Sequence, residues 1–229
     1  MQNVRGLFIT GTDTDVGKTY VGAAIVRALV AEGRRVGVYK PAASGCRQQD
    51  GRLIADDAVA LWDAAGRPGE LDRVCPQRFL TPVAPHLAAR AEGRPFDWDL
   101  LRRGLDYWRE RSEIVLVEGA GGLMSPFGER RCVADLAEAF GFPLVIVSRN
   151  VLGTINQTVQ TLIAAGAFGR GLPVAGIVLN QPSPPSADDV SLATNRQELA
   201  ARSRVPILAE LGWRKNQFDA AVDWFALAR

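Results

Sequence analysis

The stretch Gly11-Thr12-Asp13-Thr14-Asp15-Val16-Gly17-Lys18-Thr19 lies between an apolar run, Leu7-Phe8-Ile9, and residues 18–31, whose apolar side chains recur at helical spacing. A strand that passes through such a turn into a helix is the arrangement a phosphate-binding loop requires. Gly17 lets backbone come close to a phosphate. The helix start offers unpaired N–H groups and the positive end of a dipole. Lys18 adds a full positive charge for the β- and γ-phosphates, and the Thr19 hydroxyl can sit on Mg²⁺. The loop departs from the strict pattern, because five residues separate Gly11 from Gly17-Lys18 and Thr12 takes the usual first glycine position. Asp13 and Asp15 would repel phosphates if they faced them. They are expected to point elsewhere, into solvent or toward a cation, an amine or a ribose.

The chain has 229 residues, enough for one α/β domain spanning 1–229 that buries ~70% or more of its unfolded surface. Hydrophobic residues make up 47% and charged residues 23%, ordinary for a soluble globular protein. The net charge is +2 and the arginines are scattered, so no nucleic-acid partner is expected. Cys46, Cys75 and Cys132 are widely spaced, which suggests reduced thiols in a cytoplasmic protein and no metal cluster. A strand within a few residues of Met1 leaves no room for a signal peptide, and no apolar run is long enough for a membrane span. Residues 181–189, rich in Pro and Ser, form the one linker-like stretch.

Taken in order, the chain alternates strands with helices. A helix over 18–31 ends at Gly33, and a strand over 35–41 places Lys40 at its carboxyl end, beside Ala43-Ser44-Gly45. Ligands of open parallel sheets bind outside the carboxyl ends of strands, so Lys40 shares an edge with the phosphate loop. The plainer alternative is a surface lysine that closes a strand. Residues 46–53 read as a polar loop, Asp56-Asp57 as a helix start where carboxylates are favourable, and 66–80 as irregular. His86 is the only histidine, so any imidazole general base must be this one; otherwise Pro85-His86 opens a helix over 86–91 and the ring caps or packs. A helix over 97–110 puts Trp98, Leu101, Leu105 and Trp108 on one face as core. Residues 114–117 are wholly apolar, as expected of a central parallel strand. They end in Glu118-Gly119-Ala120-Gly121-Gly122, with the acid at the Walker B position, where a carboxylate holds Mg²⁺ directly or through water. Further helices are expected over 133–140, 155–167, 191–203 and 218–228, and further strands over 143–147, 174–179 and 205–208. The fold class is α/β, a doubly wound, mostly parallel sheet of the P-loop kind with helices on both faces.

The wording of several segments resembles dethiobiotin synthetase. These are the loop at 11–19, Tyr39-Lys40-Pro41-Ala42-Ala43-Ser44-Gly45, Pro85-His86, Glu118-Gly119-Ala120-Gly121-Gly122, Gly153-Thr154-Ile155-Asn156 and Asn180. The chain departs from that family at Gln157, where His is usual, and at 209–213, where the family's Gly and Pro are replaced. The resemblance implies an ATP- and Mg²⁺-dependent ligase of biotin biosynthesis that makes dethiobiotin from 7,8-diaminopelargonate and CO₂. It implies that Lys18, Lys40, Thr14 and Ser44 serve the reaction. Asp15, Val16, Gly17, Lys18, Thr19, Tyr20, Asp57, Glu118, Gly119, Ala120, Gly121, Asn180, Gln181, Gly212 and Trp213 would bind ATP, and Asn180 would read adenine. Thr19, Asp57 and Glu118 would hold Mg²⁺. Ser44, Gly121, Gly122 and residues Gly153, Thr154, Ile155 and Asn156 would bind the diamine, the last four across the interface of a homodimer. The alternatives are a nucleotide-switch ATPase of the partition or septum-site kind, whose loop carries a second lysine where this chain has Asp13, and a related ligase of cofactor synthesis, whose fused glutaminase domain 229 residues cannot hold.

Overall fold

The computed structural model describes residues 4–184 and 189–229, so part of the expected linker at 181–189 lies outside the described residues. Strand β1 (Arg5–Gly11) leads through the phosphate loop into helix α1 (Lys18–Ala31), and the chain returns as β2 (Val36–Tyr39). A run of short elements follows: β3 (Ala42–Ala43), β4 (Arg47–Gln49), β5 (Arg52–Ile54), α2 (Asp56–Ala64), α3 (Leu71–Val74), β6 (Gln77–Arg78) and α4 (Pro85–Ala91). Then come α5 (Trp98–Arg109), β7 (Ile114–Gly122), α6 (Val133–Phe140), β8 (Leu144–Arg149), α7 (Thr154–Ala167), β9 (Val174–Asn180), α8 (Leu192–Arg202), β10 (Ile207–Leu211) and α9 (Trp224–Leu227).

The main sheet is six-stranded in the order β10-β9-β8-β1-β7-β2, with every neighbouring pair parallel. Ile114 to Val117 are all 0% exposed. Successive strand residues point to opposite faces, so both faces of the sheet are covered. Each such side chain contributes roughly 1.5–3 kcal/mol on burial, which is why the strands read as unbroken apolar runs. In α5, Leu101, Leu105 and Trp108 point inward as expected, while Trp98 is half-buried. Connections from β1 lead toward β2 and those from β8 lead toward β9, so their carboxyl ends open a crevice where the loop sits. Among the described residues no helix is long and apolar enough to cross a membrane.

Several expectations need correction. Residues 46–53 are not a plain loop: β4 and β5 pair as a hairpin, turned at Asp50 and Gly51, which both have positive φ. The stretch 66–80 holds α3 and β6, and β6 pairs in parallel with β3. Strand β7 runs through Gly122 and does not stop at Glu118, because after a bulge Gly122 pairs again with Gly11. The strand expected at 205–208 is β10, shifted to Ile207–Leu211, where it pairs with β9. The helix expected over 218–228 shrinks to α9. Asp219 draws the preceding residues alongside β10 by accepting the Glu210 N–H at 2.6 Å and pairing with Arg196 at 2.7 Å. Asp223 then caps the short helix at the Ala226 N–H.

Candidate active site

The loop is braced from several sides. Thr12 N–H donates to Val147 O (3.0 Å), and Arg149 Nη2 donates to Thr14 O (3.0 Å). Asn180 Nδ2 donates to Val16 O at 2.8 Å from the end of β9. Gly17 has φ +90°, and a Cβ there would collide with Asn180 Nδ2, so this position accepts no side chain. Asp15 also has positive φ, 55°, a conformation that Asp tolerates better than most residues. Asp13 is exposed and tied to its own loop: its Oδ1 accepts the Thr14 N–H (2.7 Å) and its carbonyl accepts Lys18 Nζ (2.9 Å).

Pairing of β2 with β7 ends at Tyr39–Val117, one residue before Glu118. The chain then turns as Lys40 N–H donates to Val74 O (2.8 Å), and Lys40 reaches under the sheet edge. Its Nζ lies 2.5 Å from Glu118 Oε1, 3.0 Å from Asp57 Oδ2 and 3.2 Å from Gly119 O. Asp57 is brought there by the first turn of α2, whose N-cap is Ala55, while Asp56 pairs outward with Arg47. Thr19 Oγ1 donates to Glu118 Oε1 at 2.8 Å, and Glu118 Oε2 is buried with no partner. Burial alone would lower the Lys40 pKa, but Glu118 and Asp57 outweigh it and raise it, so Lys40 is charged. Lys40 in turn lowers the Asp57 pKa against the pull of burial. Burial raises the Glu118 pKa while Lys40 opposes it. Lys18 is depressed to about 8, first by burial and then by the charge on Lys40.

These groups line one cleft of about 420 Å³, with Asp15, Gly17, Lys18, Thr19, Tyr20, Lys40, Ser44, Asp57, Glu118, Ala120 and Gly121 in its wall. The Thr14 hydroxyl stands beside Gly121. Gly119 takes part through its carbonyl, Val16 is fully buried beneath the loop, and the Tyr20 hydroxyl donates to Lys215 O at 2.5 Å. Gln181 and Gly212 line a separate depression of about 430 Å³, while Trp213, half-buried beside it under Arg214, is not in its wall. Asn180, 1% exposed, holds the loop through its Nδ2, leaves its Oδ1 buried without a partner, and lines neither. Gly122 faces a third groove with Thr12 and Gln157. The start of α7 does not reach the cleft within one chain: Thr154 is buried with its hydroxyl on Ser148 (2.7 Å), Ile155 packs on Ile177, Leu179 and Leu199, and Gly153 and Asn156 face outward. His86 borders another cavity altogether. Sequence reasoning passed over Ser148 and Arg149. Ser148 Oγ bonds both Thr154 and Thr158, and Arg149 holds the loop. Their signal was their place at the carboxyl end of an apolar strand, the same criterion that selects Glu118.

A family model described as an AAA domain matches residues 5–218. The chain is 44% identical over 213 residues to the ATP-dependent dethiobiotin synthetase BioD of Anaeromyxobacter dehalogenans, covering 93% of this chain and 92% of that one. It is 40% identical over 215 residues to the protein of the same name from Rhodopirellula baltica, covering 89% and 82%. For the one from Anoxybacillus flavithermus the identity is 36% over 225 residues, covering 96% and 97%. Among solved structures, the signal recognition particle receptor FtsY from Elizabethkingia anophelis superposes with a TM-score of 0.54 at 13% identity. That match covers 99% of this chain but only 65% of the receptor, and the likeness is one of fold, that of the P-loop NTPases. Agreement over nearly the full length of several relatives reaches well past the loop that any such fold carries, and the chain belongs to the family of ATP-dependent dethiobiotin synthetases.

Proposed function

We propose that this protein closes the cyclic urea of dethiobiotin from 7,8-diaminopelargonate, CO₂ and ATP. One amine of the substrate adds to CO₂ and loses a proton, giving a carbamate. A carbamate oxygen attacks the γ-phosphorus and ADP leaves, giving a carbamic–phosphoric anhydride. The second amine attacks the carbonyl carbon, loses its proton and expels phosphate. Such chemistry needs positioning and charge neutralisation more than covalent help. Lys18 and Lys40 are assigned to the anionic carbamate and the transferring phosphoryl group. Thr14 and Ser44 are assigned to hydrogen bonds with the substrate, and Gly121 and Gly122 to close backbone approach. The observation that carries the reading is the convergence of two buried lysines, a hydroxyl and two carboxylates on one cleft at the sheet edge.

The same cleft fits Mg²⁺. Glu118 Oε2 is a buried carboxylate oxygen without a partner, and the Thr19 hydroxyl and Asp57 stand beside Glu118 and Lys40. Among the described residues no group of three or more His, Cys, Asp or Glu is arranged to hold a metal, so the protein offers a partial donor set that phosphate and water oxygens would complete. Bound there, Mg²⁺ would neutralise charge on the phosphates. Residues 153–156 are assigned to the substrate carboxylate of a partner subunit in a homodimer, a reading supported by their absence from the wall of their own cleft.

The experiment is phosphate release from ATP and Mg²⁺, with and without the diamine and bicarbonate, in parallel with CTP and GTP. Release is expected only with both the diamine and the carbon source, and the nucleotide panel sets the base preference. Release without the diamine would move the assignment to a nucleotide-switch ATPase.

A further inference from the structure

The cavity that His86 borders is larger than the nucleotide cleft, about 570 Å³, a volume typical of small-molecule sites. One wall is α4 with Arg94 behind it, and the other is segment 128–131 ahead of α6. Four arginines line it (Arg90, Arg94, Arg130 and Arg131) against a single carboxylate, Glu129, so this lining is more positive than the whole chain at +2. Three of those charges are weakly engaged, and the fourth is fixed in the wall. Arg90 meets Glu129 at 3.4 Å with both side chains mostly in water, where such a pair is worth little. Arg94 is held in place by its bond to Arg78 O (2.7 Å) and by the Phe79 ring beneath it, so it shapes the wall and is not counted as a free donor. The Arg131 guanidinium lies 4.3 Å over the Trp98 ring, and among the described residues neither it nor Arg130 has a carboxylate within 4.0 Å.

The apolar part is made of packed rings. Phe96 is set edge-on against Phe127 (5.7 Å, 87°) and against His86 (6.4 Å, 72°). Burial and then the charge on Arg90 lower the His86 pKa, so the ring joins this wall as a neutral aromatic. Both walls also lead away from the nucleotide cleft. The segment before α4 holds the Ser44 strip through Phe79 N–H to Ala43 O, Cys46 N–H to Phe79 O and Gly45 N–H to Thr81 O. Segment 128–131 follows Gly121 and Gly122 by way of Ser125, whose hydroxyl accepts the Gly122 N–H.

We propose that this cavity is a second ligand site, for a small anion that carries a planar ring. Its phosphate or carboxylate group is held by Arg90, Arg130 and Arg131, and its ring lies against Phe96, beside the Trp98 indole that Arg131 covers. Guanidinium forks match such anions in two-bond geometry, and aromatic faces accept a flat body. A ligand there would bridge the two segments that border the cleft.

The test uses 1-naphthyl phosphate, with inorganic phosphate as the ringless control. Both are titrated into the full chain carrying Lys18→Ala, which removes the loop lysine as a competing phosphate ligand. Binding is followed by calorimetry and by the Trp98 indole N–H resonance, assigned with Trp98→Phe. We expect a saturable shift of that resonance and an affinity about tenfold or more above that of inorganic phosphate. Arg131→Glu and Arg130→Glu, both at exposed positions, should each weaken binding about tenfold or more while leaving the melting temperature in place. Equal affinity for the two probes would mean an adventitious anion only and would overturn the proposal. So would a Trp98 signal that does not move, or binding indifferent to both arginine reversals.

Discussion

Lys18 and Lys40 are both buried lysines in one cleft, yet their surroundings push them in opposite directions. Lys40 has two carboxylates within 3.0 Å, whereas the Lys18 ammonium donates to a carbonyl and faces another cation, and its pKa falls to about 8. A lysine that titrates near 8 when folded and near 10.5 when unfolded loses its proton first in the folded state. Between those pH values the unfolded chain holds more protons, so stability rises with pH. The cost of the buried charge is present in full below about pH 8 and is on the order of 3 kcal/mol. Lys18→Met should therefore raise the melting temperature of the ligand-free protein at pH 7 by about 5 °C or more, with over half of that gain gone by about pH 9.5. A gain that does not change with pH would show that something other than the ammonium charge is responsible. Lys40 leads to a different expectation. Its ammonium lies between Asp57 and Glu118, the carboxylates assigned to the metal, and so competes with a divalent cation for them. Lys40→Ala should depress turnover by orders of magnitude while nucleotide binding stays detectable. It should also let the nucleotide-free protein bind Mn²⁺ about tenfold or more tightly, as read by electron paramagnetic resonance. Unchanged Mn²⁺ affinity would refute the competition.

The elements that were legible in the sequence are those whose signal is burial. Strands β1, β7, β8 and β9 are covered on both faces, so each appears as an apolar run, and α1 and α6 carry the apolar spacing of covered helices. Of the elements that were missed, α3 and β6 are partly buried but too short to show a period, with Val74 in the core, and the others are held by polar contacts. Residues 47–49 of the hairpin are all exposed, and only Asp50-Gly51 marks its turn. The end of the chain is shaped by Asp219, Glu210 and Arg196, which are distant in sequence and carry no periodicity. Candidate site residues followed the same division. Those at strand ends and in the loop could be placed from the sequence, but the strut between β9 and the loop could not, since nothing in the order of residues says that Asn180 faces Val16. That strut gives Asn180 a role besides the adenine reading that the family resemblance implies. If it acts through the loop, Asn180→Ala should weaken ATP, CTP, GTP and inorganic triphosphate by similar factors of about tenfold, the effect of removing a buried hydrogen bond worth on the order of 1–3 kcal/mol. A loss confined to ATP, measured by calorimetry, would instead make it the base reader.

At the scale of the whole molecule, the cleft is well walled on the side of β2 and α2 and bare on the side of α7. Leu152 is 82% exposed just before α7, and Ile163 is 66% exposed along it. Met124, 53% exposed, stands beside Gln157, Gln160 and Thr161 in the wall of a groove of about 410 Å³ that begins at Gly122. Exposed apolar side chains along a helix beside a groove are the kind of surface a second copy covers, and covering them would carry the start of one α7 toward the neighbouring cleft. Ile155 is a poor position for testing this, because its side chain already packs against Ile177, Leu179 and Leu199 of its own chain, and a charge there would damage the fold. Leu152 has no such role. Leu152→Arg should leave the melting temperature of the monomeric unit and the affinity for ATP near those of the parent chain. It should shift sedimentation from dimer to monomer and raise the KM for the diamine about tenfold or more, the loss expected when a carboxylate gives up charge-assisted hydrogen bonds. A dimer that dissociates while the diamine KM stays put would separate assembly from substrate binding and return residues 153–156 to a structural role. A parent chain that sediments as a monomer yet turns over the diamine would show that each cleft is complete within one subunit.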